Sequence, residues 1–158
     1  MVLELTHTRM EEPSRAAARP SDAVIATPLD GKRVVIVEDE ALTVMQVRRI
    51  LRAAGLDVIG AAANGRQAVD LVMREPPDIV LMDINMPVMN GIDATREILA
   101  RHPICIIMLT AYSDPVYVES ALDLGAAGYV LKPIDSRSLM PHIETAYRAF
   151  LNRPPQAA

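Results

Sequence analysis

Three carboxylates, a hydroxyl and an ammonium stand in this sequence where apolar runs end. Glu38 and Asp39 close the run Val34–Val37, Asp83 closes Ile79–Met82, Thr110 closes Ile104–Leu109 and Lys132 closes Tyr129–Leu131. If those runs are neighbouring strands, Glu38, Asp39 and Asp83 crowd into one small pocket. Their repulsion must then be relieved by protonation, water or a cation. A few carboxylates offering oxygen alone suit Mg²⁺, which keeps several waters and accepts phosphate oxygens as further ligands. An aspartate is also a nucleophile toward phosphorus, giving an aspartyl phosphate. Such a transfer needs charge neutralised on the moving group, which a metal and a nearby ammonium supply. Lys132 is placed for the second task, and Thr110 offers its hydroxyl to a phosphoryl oxygen.

Taken singly, each residue has a plainer role. Asp83 would cap a loop, Lys132 would be a solvated lysine, and Thr110 would bond to backbone. Glu38 and Asp39 would be acids favoured at a helix start by the macrodipole. Their shared position at strand ends favours chemistry over all of these roles holding at once.

The elements that must position them follow from periodicity. Val34–Val37 is a β-branched run, and after the acids Val44, Val47, Leu51 and Ala54 recur at helical spacing, with Arg48, Arg49 and Arg52 on another face and Gly55 as a stop. Val58–Ala63 reads as a second strand, with Asn64 capping a helix over Gly65–Glu75 that Pro76-Pro77 ends. After Ile79–Met82, the stretch Ile84–Asn90 reads as a loop closing on Asn90-Gly91, and Ile92–Arg101 as a helix. Asp114-Pro115 starts a helix that ends at Gly125, and a last helix runs from about Asp135 to Leu151. Pro141 within it implies a later start or a bend, because an interior proline removes a hydrogen bond. Five apolar strands alternating with helices predict an α/β, doubly wound five-stranded parallel sheet, covered on both faces, with its ligand site at the carboxyl ends of the strands.

Composition narrows the classes. The chain has 158 residues and a net charge of −4, no Trp and one Phe, which argues against direct nucleic-acid binding by a basic surface or by aromatic stacking. A single cysteine, Cys105, excludes an intramolecular disulfide and reads as a small buried hydrophobe. His7, His102 and His142 are too dispersed for a metal site. No apolar stretch approaches the length of a membrane helix or of a signal peptide's core, so a cytoplasmic location is expected. Residues 1–30, broken by Pro13, Pro20 and Pro28, read as a flexible leader; residues 31–151 form the domain, and 152–158 a short tail.

Four segments in order carry a family resemblance: Val34-Val35-Ile36-Val37-Glu38-Asp39-Glu40, Leu81-Met82-Asp83-Ile84-Asn85-Met86-Pro87, Met108-Leu109-Thr110-Ala111 and Gly128-Tyr129-Val130-Leu131-Lys132-Pro133. Together they resemble the receiver domains of two-component response regulators, over roughly Lys32 to Leu151. The resemblance implies a flavodoxin-like sheet of order 2-1-3-4-5. Asp83 would be the phosphoacceptor, taking its phosphoryl group from a histidine kinase, a phosphotransfer protein or a small donor such as acetyl phosphate. Asp39 and Asp83 would bind Mg²⁺ directly, Glu38 through water and Asn85 through its backbone carbonyl. Thr110 and Tyr129 would form a switch pair, and Lys132-Pro133 would carry a cis peptide bond. Glu38 stands where many members have Asp, and Asn85 and Tyr112 occupy positions that resemble those tuning phosphoryl lifetime.

The resemblance also implies a domain that catalyses its own phosphorylation and dephosphorylation, and acts on a downstream protein target. Its readout face, and a homodimer contact, are expected on the helix Pro115–Leu124, the fifth strand and the last helix, where Val116, Tyr117 and Tyr147 are candidates for contact with a partner or a second copy, ordinary packing being the alternative. With only Asn152–Ala158 after the last helix, a single-domain regulator is expected. The alternative is the receiver part of a truncated RNA-binding antiterminator-type regulator, because Ile143–Phe150 resembles the start of a helical output. A Mg²⁺-dependent phosphohydrolase with an aspartyl nucleophile is a third reading. Asn85, two residues past Asp83, lacks the acid such enzymes need there.

Overall fold

The structure, a computed structural model, describes residues 28–111 and 115–154. Along them run β1 (Arg33–Val37), α1 (Ala41–Ala53), β2 (Asp57–Ala62), α2 (Gly65–Arg74), β3 (Ile79–Asp83), α3 (Gly91–Leu99), β4 (Cys105–Thr110), α4 (Pro115–Leu124), β5 (Gly128–Leu131) and α5 (Ser136–Leu151). Each strand pair is parallel and the order is β2-β1-β3-β4-β5, the class and order expected from the sequence. The chain reverses direction across the sheet between β1 and β3. Connections leaving those two strands therefore diverge and open a crevice at their carboxyl ends.

Side chains alternate across the pleat and build two cores. Val34, Ile36, Ile79, Leu81, Ile107 and Leu109 face α1 and α5, meeting Val47, Leu51, Leu139 and Ile143. Val35, Val37, Val80, Met82, Ile106 and Met108 face the other way, onto Val69, Val72, Ala94, Ile98 and Ala121 of α2, α3 and α4. Every residue of β3 and β4 is buried, which is why these strands read as unbroken apolar runs.

Short polar side chains fix where helices begin. Asn64 accepts the Gln67 N–H at 2.9 Å, Asn90 accepts that of Asp93 at 2.8 Å, and Asp135 accepts those of Arg137 and Ser138 at 2.9 and 2.8 Å. The cap expected of Asp114 lies outside the described residues, as do Tyr112 and residues 1–27 of the expected leader. Leu29, within that leader, is 2% exposed and packs into the α1–α5 core.

Helix α5 starts directly after Asp135 and contains Pro141, so the later start is ruled out. Both Pro141 and Arg137, whose carbonyl loses its helical donor, are exposed, where water is at hand. The segment Ile143–Phe150, which suggested an RNA-binding output, is the second half of this helix. Its Ile143, Ala146 and Tyr147 are buried in the core. Tyr147 is thus not the partner-facing residue the sequence suggested. Among the described residues, no helix is long and apolar enough to cross a membrane.

Candidate functional site

The crevice collects the strand ends. Glu38 prolongs β1 by one residue, its N–H donating to the Ala62 carbonyl at 3.0 Å, and is 3% exposed. Asp39 follows it into solvent. Asp83 is the last residue of β3 and is 5% exposed. Lys132 extends the β4–β5 ladder, its N–H donating to the Thr110 carbonyl at 2.8 Å. Its ammonium donates to Glu38 Oε2 at 2.7 Å and lies 3.3 Å from Asp83 Oδ2. Carboxylate oxygens of Glu38, Asp39 and Asp83 lie within 4.8 Å of one another.

Burial pushes the Glu38 carboxyl above its ordinary value, and the Asp83 charge adds to the push, while Lys132 pulls back without cancelling it. Asp83 is raised for the same first reason, burial, against the pull of Lys132, a backbone hydrogen bond from Asn85 and a hydrogen bond with Glu38. For Lys132, burial opposes the charge, but its bond to Glu38 and the charges of Asp83 and Glu38 prevail and raise its pKa. One ammonium therefore serves two buried carboxylates, with a third acid beside them. The imbalance, the all-oxygen donor set and the open side at Asp39 fit a hard divalent cation such as Mg²⁺.

Thr110, 1% exposed, donates its hydroxyl to the Ala111 carbonyl at 3.1 Å. Tyr129 is 43% exposed and borders a groove with Val118 and Leu122 of α4. The structure thus brings Glu38, Asp39, Asp83 and Lys132 together and sets Thr110 at the adjoining strand end. Tyr129 stands on the exposed face. The peptide bond Lys132-Pro133 is cis, as the resemblance implies.

The segment after Asp83 is held tightly. Ile84 N–H donates to Leu109 O at 3.3 Å, Gly91 N–H to Ile84 O at 2.8 Å, and Met89 N–H to Pro87 O at 2.8 Å, a three-residue turn about Val88 at φ 68°. A Cβ on Gly91 would overlap the Asp83 carbonyl oxygen, so α3 begins there only because residue 91 is glycine. Sequence reasoning missed Gln46, whose amide donates to the Ile134 carbonyl at 2.5 Å across 88 positions of chain, a pairing without any local signal.

Comparison with known proteins decides the family, because residues 34–144 match the model of the response regulator receiver domain. The chain belongs to that family. The receiver is 42% identical over 130 residues to the transcriptional regulatory protein PdtaR of Mycobacterium tuberculosis, covering 82% of this chain and 62% of PdtaR, under two thirds of that relative's length. It is 45% identical over 104 residues to the chemotaxis protein CheY of Thermotoga maritima, covering 65% of this chain and 87% of CheY. Its fold matches the CheX–CheY–BeF3–Mg²⁺ complex from Borrelia burgdorferi with a TM-score of 0.71 at 30% identity, covering 75% of this chain and 90% of that one. The response regulator domain of Thermotoga maritima CheB matches with a TM-score of 0.68 at 30% identity, over 78% of this chain and 99% of the other. Receiver domains of two-component response regulators are signalling domains, and this one carries an acidic cluster compatible with a metal.

Proposed function

We propose that this receiver accepts a phosphoryl group on Asp83. A carboxylate oxygen of Asp83 forms the new O–P bond as the N–P bond of a phosphohistidine breaks; the bonding pair stays on the imidazole nitrogen, which takes up a proton. With acetyl phosphate, the O–P bond to acetate breaks instead. Asp39 and Asp83 would hold Mg²⁺ directly, Glu38 through water and Asn85 through its backbone carbonyl. The ion supplies positive charge to the phosphoryl oxygens. The observation that carries this reading is the Lys132 ammonium between Glu38 and Asp83, at 2.7 and 3.3 Å, beside a third acid. BeF3 and Mg²⁺ in the Borrelia CheY complex, a structural relative, also support it.

Once Asp83 carries the phosphoryl group, Lys132 leaves Glu38 for a phosphoryl oxygen, the Thr110 hydroxyl gives up Ala111, and Tyr129 turns inward. The added charge thereby biases a two-state element. Val116 and Tyr117, 71% and 50% exposed, and the groove bordered by Leu122, Tyr129 and Leu131 make the α4–β5–α5 face the readout surface, for a downstream protein or a second copy. We place the receiver unit at residues 31–151, acting in the cytoplasm through protein contacts, with water later hydrolysing the acyl phosphate. PdtaR extends well past the matched region and is a transcriptional regulatory protein, which favours an output in transcription as the second reading.

Incubation with acetyl phosphate and Mg²⁺ tests the proposal by mass spectrometry. Expected is a gain of one phosphoryl group that disappears in Asp83→Asn and persists in Asp78→Asn. A gain that survives Asp83→Asn would overturn it.

A further inference from the structure

We infer that Gln46 is a positioning residue for phosphoryl transfer, acting through Lys132; the inference rests on the reading of Asp83 as phosphoacceptor. Lys132 lies at the start of a segment with few fixed points. The ladder bond from its N–H to Thr110 holds one end, and the Asp135 cap of α5 holds the other. Between them Pro133 has no N–H to donate, and Ile134 is anchored by its buried side chain. The Ile134 carbonyl accepts the Gln46 amide at 2.5 Å, which ties the segment to α1. The tie matters because Glu40 alone separates Asp39 from α1, so the helix that starts beside the acids also clamps the lysine-bearing segment about one and a half turns along.

Glu40, Thr43 and Gln46 line one wall of a cleft whose other wall is Lys132, Pro133 and Ile134. Without the amide, that second wall loses its tie to the first and is held to it less firmly. The Lys132 ammonium then spends less time over the Glu38 and Asp83 oxygens, where the incoming phosphoryl group needs it. Gln46 acts on the Ile134 carbonyl, two residues beyond Lys132. Its effect should therefore fall on the rate of transfer and spare metal binding.

The substitutions are Gln46→Met and Gln46→Glu, which keep the shape and lose the donor, and Gln46→Lys, which keeps a donor. Because Gln46 is exposed, all three are expected to fold. Asp83 phosphorylation by acetyl phosphate is followed at saturating Mg²⁺, with Mg²⁺ affinity measured separately. Losing one hydrogen bond predicts a maximal rate about fivefold lower in Gln46→Met and Gln46→Glu, recovered in Gln46→Lys, with Mg²⁺ affinity unchanged. Wild-type rates in Gln46→Met, or an equal fall in Gln46→Lys, would overturn the inference while leaving Asp83 as the acceptor. A wild-type protein that takes no label on Asp83 would overturn both.

Discussion

The Lys132 ammonium sits closer to Glu38 than to Asp83, at 2.7 Å against 3.3 Å. The lysine's tighter partner is thus the acid at the end of β1, and Asp83 is left with the weaker contact. Both acids are buried, so both need a counter-charge. Asp83, on the central strand, has the longer contact with the ammonium, which suits the nucleophile's role proposed for it.

Removing one of the two crowded acids should stabilise the fold at neutral pH. Glu38 and Asp83 both have folded pKa values raised above their ordinary 4.5 and 3.8, so they favour folding while protonated and lose that contribution as pH rises through the raised values. Asp83→Asn leaves one buried carboxylate facing one ammonium. Thermal unfolding in Mg²⁺-free buffer should show a higher Tm for Asp83→Asn than for wild type at pH 7.5, the gap closing below pH 4. An Asp83→Asn protein less stable than wild type at pH 7.5 would contradict the crowding.

Asp39 is exposed and should matter to the metal and hardly to the fold. Asp39→Asn is expected to unfold within about 0.5 kcal/mol of wild type without Mg²⁺. Added Mg²⁺ should raise the wild-type Tm by mass action and leave that of Asp39→Asn nearly still. Equal Mg²⁺ shifts in the two proteins would remove Asp39 from the ligand set.

Gly91 has no room for a methyl group. Gly91→Ala must displace the Asp83 backbone or the start of α3, at a cost of about 1–3 kcal/mol in urea unfolding, a figure typical of overpacking. Because the atom displaced belongs to Asp83, phosphorylation should fall further than lost stability explains. A Gly91→Ala protein with wild-type labelling would show that the backbone yields without moving the carboxylate.

Burial pushes the Cys105 thiol up to about 12, against a weak downward pull from Arg153. A neutral thiol is a poor nucleophile, so iodoacetamide at pH 8.5 should leave Cys105 unmodified in the folded protein and alkylate it in urea. Rapid alkylation without denaturant would mean that β4 is open at its start.

Much of this was legible because the sheet is parallel and covered on both faces. Ile79–Met82 and Cys105–Leu109 are apolar without interruption, so the polar residue ending each run stands out, and Asp83 and Thr110 can be placed at strand ends from the sequence. Asn64 was legible as a cap for the same local reason. Leu29 was not, because a single apolar residue beside Pro28 has no period, yet the α1–α5 core buries it. Tyr147 looked like a surface aromatic since only the turn of α5 decides which way it faces. Gln46, and the crowding of Gly91 against Asp83, escaped for a third reason: the partners are a carbonyl 88 residues away and the backbone of a different element.

The central claim is that Asp83, held among Glu38, Asp39 and Lys132, becomes an acyl phosphate. Borohydride reduces an acyl phosphate to an alcohol, so treating the protein after acetyl phosphate and Mg²⁺, then sequencing its peptides, reads the site directly. Homoserine at position 83 is the expected result. Homoserine elsewhere with an intact Asp83, or no reduction product in a protein that has gained a phosphoryl group, would contradict it.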